Sequence, residues 1–260
     1  MAKSRFEYVK MFEQLDRCLP NSWIVVRIDG KGFHRFSEQH KFKKPNDEQA
    51  LSLMNDCAKS VLTNFSDIVI GYGQSDEYSF VFKRNTETYN RRASKLLSTV
   101  VSLFTSNYVF KWTKFFPTTE LLYAPSFDSR AVLYPTTQNL RDYLSWRQAD
   151  CHINNLYNTC FWKLVLESSL NHQQAEARLK GTDSAEKNEL LFSEFNINYN
   201  NEPEFFRKGT VVEERSVLLD GGDGEKVVKQ ARNVIAAEHV DIIRANFWKS
   251  HPSLLGEQQE

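Results

Sequence analysis

The 260-residue chain contains 33 basic and 33 acidic residues, and its hydrophobic and charged fractions of 41% and 25% are ordinary for a globular protein. No run of about 18 apolar residues occurs and no signal-peptide pattern opens the chain, so we expect no membrane partner and no secretion. The four cysteines form no CxxC pair and no zinc-binding spacing, which predicts reduced thiols in the cytosol or the nucleus.

Charge is unevenly distributed along the chain. Residues 83–114 contain seven basic residues and one acidic residue, whereas residues 176–225 contain six basic and twelve acidic residues. Binding to a nucleic acid depends on local basic patches more than on the total charge. The neutral total therefore does not exclude a nucleic-acid partner.

The first half of the chain alternates between helical patterns and β-branched runs that end in turn residues. The predicted elements are, in chain order, an amphipathic helix at Ser4–Leu19, a strand at Trp23–Ile28, a loop at Phe33–Asn46, a helix at Asp47–Phe65 and a hairpin of strands Ile68–Gly73 and Tyr78–Phe82.

The second half is predicted to be mostly helical. Its elements are a long helix from Thr86 to about Lys114, a strand at Arg130–Tyr134, a helix from Thr137 to about Leu170 with room for a break, and strands at Glu213–Leu219 and Lys226–Val234. Because helices and strands are mixed without a regular βαβ alternation, we predict an α+β fold with an appended helical part.

Three carboxylates form the strongest candidate for chemistry. Asp29 follows the first predicted strand, and Asp76 and Glu77 lie in the turn of the hairpin. If these strands are neighbours, the carboxylates meet at one edge, where they suit Mg²⁺, which takes one or two carboxylates plus phosphates. Two such ions assist displacement at phosphorus, as in a nucleotidyl-transfer palm. Asp-Gly and Ser-Asp-Glu are also common turn formers, so a purely structural role stays open.

Two segments near these carboxylates are candidates for binding a nucleotide. Glycines in Gly30–Phe36 allow the backbone to approach a phosphate, although the spacing is not that of a Walker loop. Lys41–Lys44 adds cations, and Phe42 offers a ring for stacking on a base. The alternatives are a solvated turn anchored by Phe33 and Phe36, and a solvated basic face.

Two sets of polar residues on predicted helices are further candidates for binding. The first contains the cations Arg91, Arg92 and Lys95, which lie within about one turn and repel one another, a cost that a bound phosphate would offset.

The second set contains His152, Asn155 and Asn158. A spacing of three residues places them on one face of a helix, where they form either a functional surface or a set of capped side chains.

The segment Gly221–Glu225 has a superficial likeness to the GGDEF signature of diguanylate cyclases. Its acidic surroundings would repel a triphosphate. We therefore predict that Asp220–Glu225 is an exposed hairpin loop without a catalytic role.

Taken together, the sequence resembles the tRNA-His guanylyltransferase family of 3′-5′ polymerases. The resemblance extends from about residue 4 to residue 253 and leaves out the Asp220–Glu225 loop. It rests on RIDGKGFHRF (27–36), PND (45–47), GYGQSDEYSFVF (71–82), FDSR (127–130), HINNLYN (152–158), LKGT (179–182), INYN with FFRKGT (197–210) and DIIRANFW (241–248).

The resemblance implies a polymerase-palm-like, ferredoxin-like antiparallel sheet with helices packed on one face in residues 1–136. It implies a mostly helical part with a small β-hairpin in residues 137–260, packed on the palm as a single unit. The implied enzyme uses ATP to adenylylate the 5′-phosphate of tRNA-His. The 3′-hydroxyl of GTP then attacks, and pyrophosphate is removed. Two Mg²⁺ ions and a homotetramer arranged as a dimer of dimers are also implied.

The resemblance further implies roles for individual residues. Asp29, the Gly30 carbonyl and Asp76 would hold the two Mg²⁺ ions, and Glu77 would support them. Asp29–His34 and Ser75–Asp76 would line the GTP site. The implied nucleotide-binding residues are Asp29, Gly30, Lys31, Gly32, Phe33, His34, Phe42, Lys44, Asp47, Ser75, Asp76, Arg92, Lys95, His152, Asn155 and Lys187.

Within that set, the resemblance divides the roles. Phe42 and Asp47 would contact the base, and Lys44 a phosphate. Arg92 and Lys95 would bind a triphosphate, acting across a subunit interface of the tetramer. The second nucleotide or the tRNA 5′ end would be contacted by His152, Asn155 and Lys187.

Two other functions remain open from the sequence. One is a different palm-type nucleotidyltransferase or a nucleotide cyclase, which would convert GTP without tRNA. The other is a non-catalytic tRNA-binding protein, which would bind tRNA without Mg²⁺-dependent turnover. The presence of all three carboxylates favours an enzyme.

Overall fold

The computed structural model describes residues 4–221, 228–252 and 254–256, so most of the Asp220–Glu225 loop lies outside the described residues. The helices and strands within those ranges are β1 Trp23–Gly30, α1 Phe33–Gln39, α2 Glu48–Asn64, β2 Ile68–Gln74, β3 Glu77–Phe82, α3 Ala93–Phe115, β4 Phe127–Tyr134, α4 Thr137–Glu167, α5 His172–Leu179, α6 Ser184–Phe195, α7 Glu204–Lys208, β5 Thr210–Gly221, β6 Val228–Glu238 and α8 Ala245–Ser250.

The six strands form one antiparallel sheet in the order β4-β1-β3-β2-β5-β6. The predicted antiparallel α+β sheet is thus confirmed. The late hairpin of β5 and β6 extends this sheet, because Thr210–Val212 of β5 pairs with Gly71–Gly73 of β2. The second half of the chain therefore contributes two strands to the sheet that carries the candidate site.

Alternate residues of each strand point to opposite faces of the sheet. Ile24, Val26 and Ile28 of β1 face α2 and α3 and are fully buried in the main apolar core. Trp23 and Val25 face the other way, where the first half of α4 and the α8 region cover them. Helices therefore cover both faces of the sheet. The helices α2 and α3 lie on one face, and α4 and the α8 region, from the second part of the chain, lie on the other.

The second half of α4 builds a separate, smaller apolar cluster with α5, α6 and the 3₁₀ helix Tyr199–Asn201. Its buried members are Leu156, Cys160, Leu164, Ala175, Leu179, Leu191 and Tyr199. α4 runs unbroken for 31 residues and so connects this cluster to the sheet. In the part of the chain that the structure describes, no helix has both the length and the apolarity needed to span a membrane.

The amphipathic helix predicted at Ser4–Leu19 is wrong. A 3₁₀ helix covers only Glu7–Phe12, and none of its residues is buried. Met11 and Phe12 are 85% and 80% exposed. An isolated short helix is marginal in water, and here each of its apolar side chains is more than half exposed.

The structure also corrects two other boundaries. The loop predicted at Phe33–Asn46 contains α1, because Phe33 and Phe36 lie one turn apart and are both buried. The helix predicted from Thr86 begins only at Ala93, since three residues before it have left-handed backbone angles. These are Tyr89, Asn90 and Arg91.

Candidate active site

The carboxyl end of β1 lies beside the β2–β3 turn, as the sequence predicts. Asp29 is opposite Glu77 in the register of β1 and β3, and the Gly30 N–H donates to the Asp76 carbonyl at 3.1 Å. Burial, followed by the negative charge of Asp29, raises the pKa of Asp76 to about 6. The two aspartates are therefore close enough to repel each other in the absence of a cation.

This pair has the donor chemistry that Mg²⁺ prefers. A divalent cation between Asp29 and Asp76 would relieve their repulsion, which together with the larger effect of burial raises the pKa of Asp76. Among the described residues, no group of three or more His, Cys, Asp or Glu side chains converges as a complete metal cage. Two carboxylates with a backbone carbonyl leave coordination positions for phosphates, which is the usual arrangement for Mg²⁺ in nucleotide enzymes.

The glycine loop is shaped by the packing of Phe33. A Cβ atom at Gly30 would lie 2.3 Å from the Phe33 ring, and Gly32 has a φ of +67°. Phe33 packs against Phe36 and Phe127, each at 4.9 Å between ring centroids. Both phenylalanines of this segment thus anchor the core, whereas Lys31 and His34 are exposed.

A cavity of about 680 Å³ opens in front of the aspartates. It lies between the β2–β3 turn, the segment before α2 and the middle of α4, and its size is in the range of ligand pockets. The predicted residues in its wall are Asp29, Phe33, His34, Phe42, Lys44, Asp47, Ser75, Asp76, Glu77 and Asn155. Gly30, Lys31 and Gly32 adjoin this wall along the chain.

The segment before α2 contributes two lysines, Lys43 and Lys44, to the cavity wall. Lys44 Nζ donates to Ser37 Oγ at 3.2 Å and lies 5.3 Å from the centre of the Trp162 ring. Burial lowers its pKa. Asp47 has a structural task, since it caps α2 through the N–H groups of Gln49 and Ala50. Phe42 stacks on Phe116 at 5.3 Å.

The polar residues of α4 divide between two environments. Asn155 and Asn158 line the cavity, and the Asn155 side chain is held by Asn46 and by the Tyr199 hydroxyl, each at 2.9 Å. His152 packs edge-on against Tyr199, and burial, followed by the charge of Arg207, lowers its pKa. The spacing of three therefore does not bring all three polar residues to the cavity.

Three predicted cations lie away from the aspartates of the same chain. Arg92 pairs with Asp16 at 3.4 Å, and Lys95 Nζ lies 5.9 Å from the centre of the Tyr89 ring. Both cations are near the beginning of β1. The eight residues of β1 place its two ends about 23 Å apart. Lys187 donates to the Thr182 carbonyl outside the cavity wall.

Sequence reasoning missed a group of charged side chains behind the aspartates. Arg27 on β1 and Arg147 on α4 both face Glu77, and Arg147 also contacts Asp150. Arg27 stands within a β-branched run, which is a signal that a cation enters the interior. Arg147 lies in a helix with many polar residues and gives no comparable signal.

Comparison with known proteins places this geometry in a family. A family model described as tRNAHis guanylyltransferase matches residues 6–135, and one described as Thg1 C terminal domain matches residues 138–244. The chain belongs to the tRNAHis guanylyltransferase family. It is 59% identical over 257 residues to a probable tRNA(His) guanylyltransferase of Drosophila melanogaster, covering 99% of this chain and 87% of that protein.

Solved structures of this family share the fold. The crystal structure of the Saccharomyces cerevisiae tRNA(His) guanylyltransferase has a TM-score of 0.77 and 54% identity, covering 80% of this chain and 93% of that one. A bacterial guanylyltransferase-like protein in complex with ATP has a TM-score of 0.73 at 20% identity, covering 96% of this chain and 97% of its own. A second structure of such a protein contains GTP, with a TM-score of 0.67 at 19% identity and the same coverage.

Proposed function

We propose that this chain is a nucleotidyltransferase that adds a guanosine nucleotide to the 5′ end of tRNA-His by 3′-5′ addition, with ATP and GTP as substrates. The observation that carries the proposal is the pair of neighbouring carboxylates, Asp29 and Asp76, beside a nucleotide-sized cavity in a chain of this family. The same pair favours an enzyme over a tRNA-binding protein without catalysis, because carboxylates that hold metal ions suit displacement at phosphorus.

Three displacements at phosphorus make up the proposed reaction. The 5′-phosphate of tRNA attacks the α-phosphate of ATP and releases pyrophosphate. The 3′-hydroxyl of GTP then attacks the activated 5′-phosphate and expels AMP. Hydrolysis by water then releases pyrophosphate from the new 5′ end and leaves one added guanosine with a 5′-monophosphate. Positioning and charge neutralisation are sufficient catalysis for steps of this kind.

The proposed roles of the residues are those that the family resemblance implies. Asp29, the Gly30 carbonyl and Asp76 would hold two Mg²⁺ ions, which polarise the phosphate under attack when bound. Lys44 would contact a phosphate in the cavity, with Phe42 and Asp47 near the base. The loop Gly30–His34 and Ser75 would line the GTP site. His152, Asn155 and Lys187 would serve a second nucleotide or the tRNA 5′ end.

The direct test is incubation of the protein with ATP, GTP, Mg²⁺ and 5′-labelled tRNA-His, with a non-cognate tRNA as the control. We expect one guanosine to be added to tRNA-His alone. Asp29→Ala and Asp76→Ala should abolish both adenylylation and transfer. Absence of an added nucleotide would refute the proposal, and a cyclic product from GTP without tRNA would indicate a cyclase.

We also propose a homotetramer, supported by the exposed apolar segment at the amino terminus. An exposed apolar patch of this extent on a soluble protein marks an interface with another protein. Its large exposed side chains are Phe6, Tyr8, Val9, Met11, Phe12, Leu15 and Leu19. In such an assembly Arg92 and Lys95, which lie far from Asp29 of their own chain, would bind a triphosphate at the site of another subunit.

Mixed oligomers test this arrangement. Lys95→Ala and Asp76→Asn each inactivate the protein if both residues are needed. Co-expressed, the two variants should regain activity that neither has alone, because some sites combine an intact Lys95 from one subunit with an intact Asp76 from another. A mixture that stays inactive although it forms oligomers would place Lys95 outside the reaction or within its own chain's site.

We place the protein in the cytosol or the nucleus. All four cysteines are free and buried, which suits a reducing compartment. Fractionation of cells that express the tagged chain checks this assignment.

A further inference from the structure

A buried arginine lies directly behind the paired aspartates. Arg147 of α4 donates through Nη1 to both carboxylate oxygens of Glu77, at 3.1 and 2.9 Å, and through Nη2 to Asp150 at 3.1 Å. The Trp146 ring covers its guanidinium at 3.6 Å. Arg27 approaches Glu77 only to 3.9 Å. Arg147 is therefore the main cationic partner of Glu77.

The same arginine ties the two walls of the cavity together. Asp150 accepts from Asn154 at 3.2 Å and from Gln74 at 3.5 Å, and Gln74 pairs with Glu77 across the β2–β3 hairpin. Arg147 and Asp150 thus fasten the turn that carries Asp76 to the helix that forms the facing wall.

The charges explain why this contact matters for the reaction. Asp29, Asp76 and Glu77 lie at one end of the sheet and repel one another, so that each is stabilised by a nearby cation. A buried carboxylate with a guanidinium partner keeps a fixed orientation, because the hydrogen bonds to the guanidinium are directional. With Glu77 paired to Arg147, the uncompensated negative charge is confined to the two aspartates.

We propose that Arg147 is a positioning residue of this enzyme: it holds Glu77 apart from the metal-binding pair, so that Asp29 and Asp76 keep the spacing and charge that two Mg²⁺ ions need. The proposal rests on the function proposed above. It assigns Glu77 to the support of the site, and Arg147 acts through Glu77 without touching the substrate.

Binding of Mn²⁺ in the presence of GTP, followed by electron paramagnetic resonance, tests the proposal without tRNA. Arg147→Gln should weaken Mn²⁺ binding by about tenfold or more, which is typical when a partner of a metal-site residue is removed. The matched control is Arg215→Gln, because Arg215 also pairs with two carboxylates, Glu213 and Glu238, outside the cavity wall. It should lower the melting temperature without changing Mn²⁺ affinity.

Kinetics with tRNA-His give the second measurement. Arg147→Gln should lower kcat by at least about tenfold while the KM for GTP changes less than about threefold. Arg147→Lys, which keeps the charge and loses the planar fork, should be intermediate. Glu77→Gln should cost much less in the Arg147→Gln background than in the wild type, since the two residues act as one unit.

Wild-type Mn²⁺ affinity in a folded Arg147→Gln variant would overturn the proposal, and so would additive losses of kcat in the double variant. If Arg147→Gln does not fold, the same criteria apply to Arg147→Lys. Failure of the wild-type chain to extend tRNA-His would instead refute the proposed function, and the Mn²⁺ titration would still decide the role of Arg147.

Discussion

The two ends of the central sheet differ in whether the chain supplies partners for their charged residues. At the end where β1 begins, buried Arg91 donates to the carbonyls of Leu19, Ser22 and Thr86, and Asp67 accepts from two threonine hydroxyls. At the other end Asp29 and Asp76 are close enough for the charge of one to raise the pKa of the other. The pKa of Asp67 is lowered by its hydrogen bonds, whereas the pKa of Asp76 is raised.

The difference separates structural charges from functional ones. A polar group whose partners are all supplied by the chain stabilises the fold. A pair of like charges that the chain leaves uncompensated costs stability and is kept where a ligand completes it. The contrast between the Arg91 end and the Asp76 end gives four predictions, ordered from the largest expected effect.

The largest effect is expected at the Asp76 end. Asp76→Asn should lower guanosine addition to tRNA-His by at least about a thousandfold, since the variant loses a carboxylate ligand of the Mg²⁺ ions that would balance the phosphate charge. Without Mg²⁺ the same variant should melt about 3 °C higher than the wild type, because a repulsion is removed. Calorimetry measures the melting temperature, and the incorporation assay measures the activity. A melting temperature below that of the wild type would contradict the repulsion at the Asp76 end.

At the opposite end Arg91→Met should destabilise the fold by about 3 kcal/mol or more, because several buried carbonyls lose their donor. Arg84→Met is the matched control. Arg84 also donates to two carbonyls, those of Asn21 and Pro135, but it is exposed and should cost less than about 1 kcal/mol. Urea unfolding of both variants measures the difference, and equal losses would show that burial is not what matters.

Lys44 is a cation that the chain partly buries at the Asp76 end beside the open cavity. Lys44→Gln should raise the KM for nucleotide by about tenfold, the loss of one charged hydrogen bond, with little change in melting temperature. Lys41→Gln, at an exposed residue outside the cavity wall, should leave KM unchanged. Similar KM values for the two variants would remove Lys44 from the nucleotide site.

The smallest effect concerns pH and the Arg91 end. The folded pKa of Asp67 is below its ordinary value because of Thr86 and Thr88, so its contribution to stability is complete above the ordinary pKa of about 4. It is lost as the pH falls through the lowered value. Asp67→Asn should therefore be about 1 kcal/mol less stable at pH 7, with the deficit shrinking towards pH 3. Melting curves across this range test the sign.

The strands and the carboxylate edge were predictable because the relevant signals are local. A β-branched run followed by Asp29-Gly30, and a hairpin whose turn carries Asp76, specify where two strand ends lie. Antiparallel pairing of β1 with β3 then brings Asp29 opposite Glu77. The placement of these carboxylates could be predicted because it depends on the most regular part of the fold.

Other features depend on contacts that no local pattern reports. The apolar periodicity of Ser4–Leu19 predicts a helix, yet the apolar side chains of Glu7–Phe12 are all more than half exposed. The cations Arg92 and Lys95 belong to a predicted basic helix, but their distance from Asp29 follows only from the direction of β1. The polar sequence around Arg147 predicts a solvated helical residue, and only the packing of α4 on the sheet buries it.

The pairing of β2 with β5 has a consequence for biosynthesis. Gly71–Gly73 pairs with Thr210–Val212, and these segments lie about 140 residues apart in the chain. During translation the amino-terminal half leaves the ribosome with an open strand edge at β2, which invites pairing with another chain. We expect a fragment that ends near residue 136 to aggregate, although it contains both aspartates.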